Sequence, residues 1–217
     1  MLTIVTGSQK GGSGKTTLAA LLAVEAERCG DGPAWIIDTD QQATLSTWHD
    51  RREAEAPRRA DIPLARLQAG LGELADKHAA RLAFVDTAPA DSPDNAAIFG
   101  MADLVLIPVR PSPADLWAVG PTVAEVREAG RDFLFVITQA KPGAVITAQT
   151  VAALSRHGPV AQAFIADRVS YPMATTSGQT APELAPKGPA AVEVAALWSE
   201  VKAFIAESSK VRTVQYG

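Results

Sequence analysis

TGSQKGGSGKTT, Thr6 to Thr17, follows directly on the apolar start MLTIV and runs into the helical pattern TTLAALLAVEAERCG, with Gly30 as its stop. A strand, a glycine-rich turn and a helix in that order form the context that a phosphate-binding loop requires. Glycines let backbone N–H groups turn inward, the helix N-terminus adds its positive end, Lys15 is placed for the β- and γ-phosphates, and the Thr16 hydroxyl for Mg²⁺. The strict pattern G-x-x-x-x-G-K-S/T nevertheless fails at its first position, where Gln9 stands. The competing reading is a glycine-rich turn that binds nothing. A second lysine, Lys10, precedes Gly11 and Gly12; one lysine suffices to grip a phosphate, so Lys10 needs an account of its own.

Working outward, short apolar runs recur between longer helical patterns. They are Leu2 to Val5, Ala34 to Asp38, Leu82 to Asp86, Asp103 to Val109, Phe133 to Thr138 and Ala161 to Ile165, with Ile62 to Leu67 as a weaker seventh. Such runs, bounded by polar turns and alternating with helices, predict a doubly wound α/β fold: a mostly parallel sheet of about seven strands with helices on both faces. Ser177 to Ala191 holds three prolines and two glycines and predicts a loop; beyond it Val194, Leu197, Trp198, Val201, Phe204 and Ile205 recur at helical spacing, predicting a last helix over about 190–207. The 217 residues fall within the range of one domain, 1–217.

Composition narrows the function classes. A net charge of -4 argues against a protein that coats nucleic acid with its whole surface and leaves only a local basic patch. The single Cys29 can form no internal disulfide and no cluster or zinc site, which fits a reducing compartment. No apolar stretch approaches the roughly 18 residues of a membrane span, and a cytoplasmic protein is expected.

The run QKGGSGKTT resembles the deviant Walker A motif K-G-G-x-G-K-S/T-S/T of the ParA/MinD family of ATPases. The resemblance implies that Gly11, Gly12, Ser13, Gly14, Lys15, Thr16 and Thr17 hold ATP. It further implies that Lys10 crosses a nucleotide-sandwich homodimer to the phosphates of the other subunit. A cation supplied in trans would neutralise charge in phosphoryl transfer and make hydrolysis depend on dimerisation. WIIDTDQQATLSTW resembles the family's segment after the second strand, which implies that Asp40 positions the attacking water and Asp38 holds the Mg²⁺ shell. Gln41 stands where the family usually has proline, and Ala43 where it usually has glycine. RLAFVDTAPA resembles Walker B followed by the second switch, with Asp86 holding Mg²⁺ through water. Family members bind adenine after the sixth strand and in the loop after the seventh, which corresponds to Gln139 and Arg168; a surface ion pair is the other reading of Arg168. LVLIPVRPSPADLWAV also resembles the family, and its prolines are expected to shape a rigid loop near the dimer face.

Because the chain starts at its first strand, it resembles the small partition ATPases without an N-terminal helix-turn-helix. The resemblance implies a homodimer formed on ATP binding, nonspecific DNA association on the nucleoid, and a ParB-like or other cargo-adaptor partner that stimulates hydrolysis. The cargo, whether plasmid, chromosome region, conjugation complex or protein compartment, is set by the partner rather than by the ATP site. The basic candidates are Arg51, Arg52, Arg58, Arg59, Lys187, Lys202, Lys210 and Arg212; those near the last helix are preferred, and RREAEAPRRA, Arg51 to Ala60, is expected to be a solvated helix face. A MinD-like membrane helix is not expected, the tail ESSKVRTVQYG being short and polar. The alternative is a metabolic enzyme on the same fold, such as a dethiobiotin-synthetase-like ligase, which generally lacks the lysine that Lys10 supplies.

Overall fold

The computed structural model describes residues 1–89 and 93–216. Its centre is a sheet in which every pairing is parallel, in the order β3-β2-β4-β1-β5-β6. The strands are β1 (Leu2–Thr6), β2 (Ala34–Asp38), β3 (Arg58–Arg59), β4 (Leu82–Asp86), β5 (Leu104–Val109) and β6 (Phe133–Ile137). Register aligns Thr6 with Asp86 and Asp38 with Asp86, so the first, second and fourth strands leave the sheet side by side.

The period of two along each strand sorts side chains between two cores. Ile4, Ile36, Phe84, Leu106 and Val136 join one cluster, which α1 (Lys15–Arg28) and α10 (Pro189–Tyr216) cover through Leu18, Leu22, Leu197 and Trp198. Val5, Ile37, Val85, Val105 and Phe135 face the other. There α3 (Leu67–His78), α4 (Pro93–Gly100) and α6 (Val119–Glu128) supply Leu67, Leu71, Ile98, Phe99 and Val123. Helices α2 (Thr44–His49), α5 (Pro113–Trp117), α7 (Val145–Leu154), α8 (Ser170–Thr175) and α9 (Ala181–Leu184) complete the layers. Among the described residues no helix is long and apolar enough to cross a membrane.

The sheet has six strands rather than about seven: two expected strands do not form and one that was not expected, Arg58–Arg59, is added at the edge. Ile62 to Leu67 becomes a turn of 3₁₀ helix over Leu64–Arg66 and the entry to α3, because Leu64, Leu67, Leu71 and Leu74 continue at helical rather than alternate spacing. Ala161 to Ile165 runs beside β6 with isolated bridges only, Phe135 to Val160 and Ala140 to Ala166. Its outward N–H groups are taken by glutamates, not by another strand: Gln162 and Ala163 donate to Glu200, at 2.7 and 2.8 Å.

RREAEAPRRA is not a helix face. Helix α2 ends at His49, Arg58–Arg59 pair with β2 as the short edge strand, and the Arg52 side chain is 2% exposed. The Ser177 to Ala191 stretch contains α9, whose start is closed by the Thr180 N–H donating to the Glu183 carboxylate at 2.6 Å. The last helix opens on Pro189, a residue suited to a first turn, and runs to Tyr216, past the expected end near 207, since no glycine or proline interrupts it.

Candidate nucleotide-binding site

The carboxyl ends of β1, β2, β4 and β6 converge on the glycine-rich loop, which is where a doubly wound sheet places its ligand. Gly14 caps α1 at φ 99°, a left-handed conformation that glycine adopts without steric cost, and it opens the helix N-terminus toward the loop. The loop is braced from β6. The Thr138 hydroxyl donates to the Ser13 carbonyl at 2.7 Å, and Gln139 Nε2 donates to the Gly12 carbonyl at 3.0 Å. On its other flank the Gln9 amide donates to Glu125 at 3.1 Å.

Lys15 is buried and donates to the Ser8 carbonyl at 3.2 Å. Burial pulls its ammonium below the ordinary lysine range, against the opposing pull of the Asp86 and Asp40 carboxylates. Lys10 behaves differently: it is half-buried, and its ammonium has no hydrogen-bond or ion-pair partner among the described residues. Its backbone N–H donates to the Ser8 hydroxyl at 3.2 Å.

Asp86 is 1% exposed and accepts from the Thr16 hydroxyl at 2.5 Å and the Thr6 hydroxyl at 3.0 Å. Burial pushes its carboxyl up to about 7; the two hydroxyls oppose this, neighbouring Asp38 adds to it, and Lys15 reduces it. Asp38 takes the backbone N–H groups of Asp40 and Ser46, at 3.1 and 2.9 Å, and so ties the loop after β2 to α2. Asp40 accepts the Gln42 N–H at 2.9 Å. Ala43, in the position where glycine is usual, has φ 50°, so a left-handed conformation is required there and alanine adopts it.

Beyond Thr17, a cleft of about 590 Å³ lies between α1, the β6 exit and α8, lined among others by Leu21, Arg51, Gln139, Asp167, Arg168 and Pro172. That volume is of the size that accommodates a small-molecule ligand. Arg168 forms the surface ion pair, with Glu193 of α10 at 2.5 Å, and also lines the cleft. Neither Thr138 nor Glu193, nor the bracing contact of Gln9 with Glu125, was marked by any motif as part of this site. Only the strand end at Thr138 could have pointed to one of them.

The residues fit a bound nucleotide and cation. Ser13 Oγ is buried within the loop without a hydrogen-bond partner among the described residues, an orphan that a phosphate oxygen would satisfy. Thr16 and Asp86 present a hydroxyl and a carboxylate at one point, the donor set of a Mg²⁺ that keeps its waters. Among the described residues no group of three His, Cys, Asp or Glu side chains forms an all-protein cation cage, and such a Mg²⁺ needs none.

The basic candidates are largely committed elsewhere. Arg52 pairs with Glu183, Arg59 with Asp50 and Asp61, and Lys202 with Asp31. Arg58 lies over the Trp35 ring, and Arg51 lines the cleft. Lys187 and Lys210 are exposed, and the Arg212 side chain lies outside the described residues.

A parallel sheet with a phosphate loop, a buried strand-end carboxylate and a second lysine before the glycine pair defines a P-loop nucleotide-binding protein of the deviant kind. The chain belongs to the CobQ/CobB/MinD/ParA nucleotide binding domain family, whose model matches residues 4–181. It is similar to the maintenance of carboxysome distribution protein A of Halothiobacillus neapolitanus, 28% identical over 205 residues that span 88% of this chain and 91% of that one. The protein of the same name from Gloeobacter kilaueensis is 31% identical over 175 residues, 78% of each chain. Among solved structures, an ATP complex of a Cyanothece McdA variant superposes with a TM-score of 0.75 at 20% identity, covering 94% of this chain and 95% of the other.

Proposed function

We propose that the chain is an ATPase that dimerises on ATP, hydrolyses it slowly alone and faster with a partner, and thereby positions a cargo. The observation that carries this reading is the contrast between the two lysines. Lys15 is buried in its own loop, whereas Lys10 carries a charge with no partner among the described residues, at the position where the family's trans lysine stands. In this reading Lys15, Thr16 and the N–H groups of residues 11–17 hold the phosphates, and Asp86 and Thr16 hold Mg²⁺, which supplies charge neutralisation during phosphoryl transfer. Asp38 acts mainly by fixing the loop that presents Asp40, since both its oxygens are engaged by backbone N–H groups. Asp40 orients the attacking water. Gln139 and Arg168 border the base. A ligase on the same fold has no use for Lys10 and is the weaker reading.

The names of the two relatives favour a protein compartment of the carboxysome kind as cargo, among the plasmid, chromosome region, conjugation complex and protein compartment that the motifs leave open. The partner would then be a compartment adaptor rather than a ParB-like protein. The nucleoid would serve as the matrix, with Lys187 and Lys210 among the exposed cations open to duplex phosphates. Retention on a random duplex is expected with ATP and not with ADP, and should fade as salt rises; retention independent of nucleotide would remove DNA from the proposal.

Hydrolysis that needs a lysine in trans is second order in protein. Turnover per chain should therefore rise with protein concentration for the native chain, while Lys10→Ala keeps nucleotide binding but shows low turnover at every concentration. Concentration-dependent turnover of native size in Lys10→Ala would exclude the trans role.

A further inference from the structure

The base-side wall of the cleft is held by one carboxylate that does not line it. Glu193 Oε1 accepts from Arg168 Nε at 2.9 Å and Nη2 at 2.5 Å. Its Oε2 accepts from the Tyr171 hydroxyl at 2.9 Å and the Ala166 N–H at 3.2 Å. Seven residues further along the same face of α10, Glu200 takes the N–H groups of Gln162 and Ala163. The stretch from Gln162 to Tyr171 thus stands between β6 and α10, with backbone bonds to the strand on one side and glutamates on the other. Ala166, Arg168 and Tyr171, all bound by Glu193, are all cleft-lining residues. Arg168 keeps Nη1 without a partner among the described residues, a donor open to a base or ribose acceptor.

We infer that Glu193 is a positioning residue for nucleotide binding: from the last helix it fixes Arg168, Tyr171 and the Ala166 N–H, so that filling the cleft and seating α10 are one linked equilibrium. The inference rests on the reading of the 590 Å³ cleft as the nucleoside site. The four donors gathered on a single carboxylate are mutually supporting, and the two guanidinium bonds are charge-assisted and converge on one oxygen, Oε1. Anything that holds Arg168 in place for a ligand also holds Glu193, and with it the first turns of α10. By reciprocity, a ligand that gains from the grip must tighten it.

The test is a double-mutant cycle on the full chain with ADP and Mg²⁺ as the probe, read by titration at a temperature well below any melting transition. Arg168→Ala and Glu193→Ala are each expected to weaken binding about tenfold, and the double variant also about tenfold, because the two side chains act as one unit. In the native chain, ADP and Mg²⁺ should slow amide hydrogen exchange over residues 189–201; in Arg168→Ala they should not. A purely structural Glu193 would lower the melting temperature and leave the affinity unchanged. Native affinity in the single variants, or a hundredfold loss in the double, overturns the inference while leaving the nucleotide site intact. No binding of ADP and Mg²⁺ by the native chain overturns the nucleotide reading and this inference with it. Should Glu193→Ala fail to fold, the exchange measurement on Arg168→Ala decides alone: ligand-induced protection of α10 equal to that of the native chain contradicts the linkage.

Discussion

Around the phosphate loop, sheet register sets Thr6 beside Asp86, and short local hydrogen bonds from these strand ends and from Thr138 hold Thr16 and Ser13 against them. Across the cleft, the wall from Ala166 to Tyr171 and the turn at Arg52 are held by Glu193 and Glu183, carboxylates on helices with no register to the sheet. The first region is fixed by backbone geometry and the second by ion pairs. Charge pairs should therefore carry the stability of the second region, whereas backbone conformation should set that of the first.

The strongest way to break this contrast is Arg52→Ala. The Arg52 guanidinium is 2% exposed, donates to Glu183 at 2.8 and 3.1 Å and to the Gly178 carbonyl at 2.7 Å, and lies over the Trp48 ring. Gly178 lets its own backbone approach that of Arg51 and Arg52 so closely that any Cβ would collide. Removing the arginine leaves a half-buried carboxylate without its cation, held only by Thr180, and should cost about 3 kcal/mol in urea unfolding at neutral pH. Burial acts to raise the Glu183 carboxyl, but Arg52 and the Thr180 N–H outweigh it and hold it below the usual range. A depressed carboxyl stabilises the fold above its unfolded value and loses that contribution as pH falls through its folded value. The gap between native and variant should accordingly narrow below about pH 4.5. A gap under about 1 kcal/mol at neutral pH would mean that the ion pair is incidental.

On the phosphate side the matching change is Ala43→Gly, at the left-handed residue after Asp40. Relief of the strain, less the entropy glycine adds to the unfolded chain, should raise stability by about 0.5 kcal/mol. Destabilisation on the same urea scale would show that the Ala43 side chain packs usefully and that backbone conformation is not what this loop is short of.

The same contrast decided what could be read in the sequence. The strand, loop and helix from Leu2 to Arg28 were legible because each element is local and the glycines state the backbone they need. Asp38 and Asp86 were legible because strand ends in a parallel sheet face one crevice. The Ala161 to Ile165 run misled because its composition suits a strand, while its fate was decided by Glu200 and Glu193, distant in sequence on another element. Arg52 misled for the same reason: among glutamates it looked solvated, and its partner lies in α9. The second lysine, Lys10, was visible as a spacing; its difference in burial from Lys15 was not.

The central claim is an ATP-gated dimer, and sedimentation velocity of Asp40→Ala tests it most directly. Asp40 lies beyond the end of β2, and its carboxylate is engaged by the Gln42 N–H. If Asp40 orients the attacking water as proposed, its removal stops hydrolysis and ATP should persist. The account predicts a dimer of the 22.7 kDa chain with ATP and Mg²⁺ and a monomer with ADP and Mg²⁺. A monomer under both conditions, or a dimer indifferent to nucleotide, would contradict it.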